Sequence, residues 1–156
     1  MYKQQLTKVQ ALPKARQYCA YQERCHSEVK EKLYGFGLHK KDVEELIADL
    51  IEENYLNEER FAMVFAGGRF RIKNWGRVKI KYELKQKQVS DYCIKKALQE
   101  IGTADYLKTL YKLADKKLKL LKGEKNIFTK KKKLQDYLLQ KGFEPQLIQT
   151  VIKDII

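Results

Sequence analysis

The chain has 156 residues, 33 Lys and Arg against 20 Asp and Glu, and a net charge of +13. That length suits one domain or a short array of small modules, and an apolar fraction of 44% is enough for a core. No apolar run approaches the ~20 residues of a membrane span. The start, Met1 to Gln5, lacks the apolar centre of a signal peptide. A cytoplasmic protein with no membrane partner is expected, and its charge calls for an anionic one.

With 8 Gly and 2 Pro, and with Leu, Ile, Lys, Glu and Gln abundant, the elements read as helices. Residues 1–10 form an N-terminal extension. In 11–57, Ala15, Tyr18 and Cys19 hold the phase of a first helix, which Gln22 breaks. Val29 and Leu33 lie on a second helix that stops near Gly37, where φ > 0 closes it. A third helix starts just after His39 and runs to about Asn54.

In 58–102, Asn57 is the expected N-cap, and Phe61, Val64, Phe65, Gly68 and Ile72 form an apolar stripe. Ile80 and Leu84 lie on the next helix. Gln88 stands where Gly37 stood, which predicts a strained or altered turn, and Ser90 caps the helix after it. In 103–156, Thr103 is the expected N-cap, and Leu107, Leu110, Tyr111, Ala114 and Leu118 repeat the steps of the earlier stripe. A longer connection passes through Gly123–Asn126. Gly142 takes the glycine place, with Glu144 as N-cap and Pro145 at N1.

Six apolar places recur without a gap. Val29, Leu33, Val43, Leu46, Ile47 and Leu50 match Ile80, Leu84, Ile94, Ala97, Leu98 and Ile101, then Leu134, Leu138, Ile148, Val151, Ile152 and Ile155. A period of about 50 residues marks tandem units that bury one another's apolar faces. The expected fold is all-α: three tandem three-helix, helix–turn–helix-like repeats forming an extended, curved body. Such arrays present binding surfaces more often than clefts. No phosphate-binding glycine loop, metal-ligand cluster or nucleophile–base motif is present, so no enzyme, cofactor or metal is expected. Cys19, Cys25 and Cys93 read as small buried hydrophobes; zinc at Cys19, Cys25 and His26 ranks below that. No leftover apolar stripe demands a partner, so a monomer is expected.

Charge is segregated. Asp42 to Glu59 holds eight acids and no Lys or Arg. Arg69, Arg71, Lys73, Arg77, Lys79, Lys81, Lys85 and Lys87 then face only Glu83. Arg77, Lys81 and Lys85 are i, i+4 neighbours and repel unless an anion joins them. If Thr129 caps its helix, Lys130, Lys131, Lys132 and Lys133 fill the first turn and oppose the macrodipole. Phosphate or carboxylate binding relieves both costs. Trp75, the sole tryptophan, either stacks on a base or anchors an interface, or plugs a gap between repeats.

Leu56-Asn57-Glu58-Glu59-Arg60-Phe61-Ala62, then Gly76-Arg77-Val78-Lys79-Ile80-Lys81-Tyr82-Glu83-Leu84, resemble two signature elements of the bacterial RecX regulatory proteins. Arg24-Cys25-His26-Ser27 with Lys32-Leu33 resembles the start of that family's pattern. The resemblance covers roughly residues 11–156, and Asn54 and Gln88 stand where the family usually has glycine. It implies tandem three-helix modules that bind the RecA recombinase filament on single-stranded DNA and inhibit strand exchange and ATP hydrolysis. It further implies a place in recombination, DNA repair and the SOS response, and binding to single- and double-stranded DNA. Within the signature, Phe61 is expected in the core and Arg60 as a brace. Charge placement selects Arg69, Lys73, Arg77, Lys81 and Lys85 as contacts, with Trp75 second. Reversing Arg77 and Lys81 together is expected to weaken the effect without unfolding the protein. The alternative is a stand-alone helix–turn–helix DNA-binding protein, against which the acidic second helix of that pair (Asp42, Glu44, Glu45) argues.

Overall fold

A computed structural model describes residues 5–156, and every regular element among them is a helix. In chain order these are α1 (Lys8–Tyr21), α2 (His26–Gly35), α3 (Lys40–Glu52), α4 (Glu58–Lys73), α5 (Arg77–Gln86), α6 (Asp91–Gln99), α7 (Thr103–Leu120), α8 (Ile127–Gln140) and α9 (Pro145–Ile155). They sort into two units, one running to Phe65 and including Leu84–Lys96, the other being Ala66–Glu83 with Ala97–Ile156. Helices α4, α5 and α6 each give one end to either unit.

The recurring apolar places are the core. Sixteen of the eighteen are buried, and Leu98 and Ile155 are partly so. Two expected stripes are shifted. On α4 the buried side chains are Phe61, Ala62, Ala66 and Phe70, whereas Val64 is 54% and Ile72 82% exposed. On α7 they are Tyr106, Leu110, Leu113 and Ala114. The buried face of each helix includes small or aromatic residues that a search for Leu, Ile and Val passes over, since alanine suits close helix contact as well as bulk does.

The turns form as their chemistry requires. Gly37 and Gly142 have φ of 85° and 95°. Gln88 adopts the same left-handed conformation at φ 63°, as does Asn54 at 63°. After α5, Gln88 N–H donates to the Lys85 carbonyl (2.9 Å) and Val89 N–H to that of Leu84 (3.1 Å), a Schellman closure built without glycine. The Gly142 turn has the same pair, to Leu139 (3.0 Å) and Leu138 (3.2 Å).

The caps agree in part. Asn57 Oδ1 accepts from Arg60 N–H (2.9 Å), and Ser90 Oγ from Cys93 N–H (3.3 Å). His39 is the N-cap of α3, and Glu144 that of α9 with Pro145 behind it. Thr103 is not a cap: α7 already includes it, and Gly102 is the N-cap. Helix α1 begins at Lys8, within the stretch assigned to the extension, because Thr7 and Gln10 form a reciprocal capping box.

Candidate partner-binding surface

Helix α4 ends in a reversal at Asn74 (φ 57°), where Asn74 N–H donates to Phe70 (3.0 Å) and Trp75 N–H to Arg69 (3.1 Å). The reversal sets the half-buried Trp75 ring beside cations from both flanking helices. Lys79 Nζ lies 4.4 Å from the ring centroid, and Arg69 and Lys73 each lie at 5.5 Å. Lys141, from the turn before α9, donates its Nζ to the Lys73 carbonyl (3.2 Å). The ring quadrupole offsets part of the repulsion among these charges. What remains makes the patch a site of positive potential suited to an anion. Arg71 folds its guanidinium over Gly67, where no Cβ obstructs it.

Arg77 is engaged within the fold. Its Nη1 meets Glu144 Oε2 at 2.9 Å, and its guanidinium lies 3.8 Å from the Tyr106 ring centroid. Tyr106 is fully buried, accepts from the Arg77 backbone N–H (2.8 Å) and donates its hydroxyl to Glu144. Burial, then the hydrogen bond to Glu144, push the Tyr106 hydroxyl well above its ordinary pKa. Reversing the Arg77 charge would set it against the Glu144 carboxylate as well as against any partner. Along the expected stripe only Lys81 and Lys85 are exposed, with Lys85 Nζ 3.8 Å from Asp91.

The lysine run does not open its helix, and Thr129 is not the cap. Helix α8 starts at Ile127, and Asn126 Oδ1 caps it by accepting from Phe128 (3.0 Å) and Thr129 (3.2 Å). Lys130 to Lys133 thus lie beyond the first turn and do not face the positive end of the dipole. Lys132 pairs with Asp136 (3.2 Å) and Lys133 with Glu124 (3.1 Å). That lysine's hydrogen bond holds the Glu124 carboxyl below its ordinary range.

The signature residues lie in or against the core. Arg60 Nε reaches Glu23 (2.6 Å), and its other nitrogens reach Asn54 Oδ1 (3.2 Å) and the Asn54 carbonyl (3.1 Å), so it clasps the turn after α3. Phe61 and Leu84 are buried, and Glu83 is partly exposed. Gly76 packs on the turn before α9: its N–H donates to Lys141 (2.8 Å), and Val78 N–H donates to Gly142 (2.9 Å). The first amides of α5 are thereby satisfied within the fold. Sequence reasoning missed Tyr106, Lys141 and the charge role of Glu144. Nothing in the local pattern marks a contact made across 67 positions, such as Arg77 to Glu144.

Residues 57–98 match the model of the RecX second three-helix domain, and residues 104–152 that of the third. The chain is 32% identical over 94% of its length to a regulatory protein RecX of Prosthecochloris aestuarii, covering 93% of that protein. It is also 32% identical to one of Clostridium perfringens, of which it covers 61%. A crystal structure of RecX from Lactobacillus salivarius superposes with a TM-score of 0.86 at 26% identity, covering 95% of this chain and 96% of that one. With two domain models matched in order and a relative aligned over almost its whole length, the chain belongs to the RecX family of regulatory proteins.

Proposed function

We propose that this protein binds the RecA filament on single-stranded DNA and inhibits its strand exchange and ATP hydrolysis. The carrying observation is the gathering of Arg69, Lys73 and Lys79 about Trp75, with Lys141 bonded to the Lys73 carbonyl, on a scaffold whose family is regulatory. Such a patch fits the phosphates and carboxylates of a protein–DNA groove, and exposed Lys81 adds positive charge on α5. Lys130 and Lys131 add charge on α8, while Lys132 and Lys133 are already paired. The body acts as a monomer in the cytoplasm and performs no chemistry. Groove reading by α3 is disfavoured by its acids, of which Glu45 pairs with Lys8.

The DNA-dependent ATPase of RecA tests this. Added protein should lower the rate, and Lys73→Glu with Lys79→Gln should relieve the inhibition. An unchanged rate at saturating protein overturns the proposal.

A further inference from the structure

The unit that runs to Phe65 carries a second surface of different chemistry. An open groove of about 470 Å³ lies between α1 and α2, lined by Lys14, Tyr18, Tyr21, Arg24, Lys32 and Phe36. It continues along α2 past Gly35. Rings and cations alternate around it. The Arg24 guanidinium lies 3.8 Å from the Tyr18 centroid and 5.9 Å from that of Tyr21. Lys32 Nζ lies 5.2 Å from Tyr18 and 5.7 Å from Phe36. Lys14, Tyr18 and Tyr21 fall at i, i+4 and i+7, so they share a face of α1. The Tyr21 ring is 81% exposed.

Arg24 is held rigid, its Nε donating to the Tyr18 carbonyl at 3.1 Å. Two carboxylates border the groove. Glu28 accepts the Cys25 N–H (3.2 Å) at the start of α2 and lies 4.0 Å from Arg24, so it is already committed. Glu31 lies on the rim.

We propose that this groove binds a segment of single-stranded nucleic acid, with bases on Tyr21 and Phe36 and phosphates on Lys14 and Lys32. Alternating flat rings and cations are what an unpaired strand needs, since every base offers a face to stack and every linkage an anion to pair. A duplex keeps its bases stacked inside and cannot use Tyr21 this way. An acidic peptide would use the cations and leave the rings idle. The site is separate from the patch at Trp75 and does not depend on it.

The test is fluorescence anisotropy with a labelled oligothymidylate and, beside it, a duplex of the same length. Two variants report on the groove. Tyr21→Ala removes the exposed ring. Gly35→Glu puts a carboxylate into the groove from a position where a Cβ meets nothing within 4 Å, so the fold is undisturbed. Each should weaken single-strand affinity about fivefold or more, with circular dichroism and duplex affinity unchanged. Wild-type single-strand affinity in both variants overturns the proposal. So does an equal loss on duplex, which means phosphate contact alone, or a loss confined to RecA inhibition, which means a protein segment occupies the groove. If affinity falls only in the Lys73→Glu variant, the filament reading stands and this one is lost.

Discussion

Gly76 and Gly142 touch backbone to backbone: a Cβ on Gly76 would lie 2.3 Å from the Gly142 carbonyl oxygen, and one on Gly142 would lie 2.2 Å from Lys79 Cβ. The α5 N-terminus and the turn before α9 are thus joined by contacts that leave no room for a side chain. Gly76→Ala should destabilise the protein by about 1–3 kcal/mol through overpacking against rigid backbone. Gly142→Ala should add the left-handed penalty of about 1 kcal/mol to a similar clash. Gly35→Ala, with open space around it, is the control and should be neutral or stabilising. Urea unfolding of the three variants measures this.

Gln88 adopts the left-handed backbone of Gly37 and Gly142 with an exposed side chain. Gln88→Gly should therefore stabilise, by roughly 0.5–1 kcal/mol, because relief of the left-handed strain exceeds glycine's entropic cost. A lower melting temperature in this variant would show that Gln88 makes compensating contacts.

The Arg77, Tyr106 and Glu144 cluster predicts a division within α5. Arg77→Ala should cost on the order of 1–3 kcal/mol, since it leaves Glu144 and the Tyr106 ring without their partner. Lys81→Ala, on the exposed face, should stay within roughly 0.5 kcal/mol of wild type. Thermal melts of the two, together with RecA inhibition measured well below both midpoints, separate loss of fold from loss of binding.

Salt should reveal the surface around Trp75. Each phosphate contact on a single strand contributes about 0.7 to the slope of log affinity against log salt. Removing the Lys73 and Lys79 charges together should lower that slope by about 1.4 if each meets one phosphate. An unchanged slope would place the DNA contacts elsewhere.

Acid should weaken the fold through its exposed ion pairs. Glu45 is held below the ordinary value of 4.5 by its hydrogen bond from Lys8, and Glu53 likewise by Arg16. A depressed folded pKa stabilises above the unfolded value, and that contribution is lost as pH falls through the folded one. The melting temperature should drop as pH falls below the ordinary carboxylate range, and Glu53→Gln should shallow the drop. Cys19, Cys25 and Cys93 are all buried, and burial pushes the Cys19 and Cys25 thiols up. All three should react with thiol reagents only on unfolding.

How far the sequence could be read differs by feature. The sixteen buried places of the repeat were legible because helical period and repeat spacing constrain them twice over. The Gly37 and Gly142 turns were legible because left-handed backbone selects glycine. The stripes of α4 and α7 were misplaced because Ala62, Ala66 and Tyr106 carry burial without a strong apolar signature. The cap of α8 was misplaced because Thr129 and Asn126 are both good capping residues, and only the choice of starting turn separates them.

By itself the sequence determined the helical content, the three-part period and the core, since each rests on local chemistry or on a repeated pattern, and two signature elements carried the resemblance to the family. Tertiary structure alone decided which cations cluster and which are paired within the chain. Lys79 and Lys73 meet at Trp75 because Asn74 reverses the chain. Arg77 is withdrawn because Glu144, distant along the chain, lies beside it. A charge is visible in sequence wherever it stands, but whether it is free depends on what folding brings next to it.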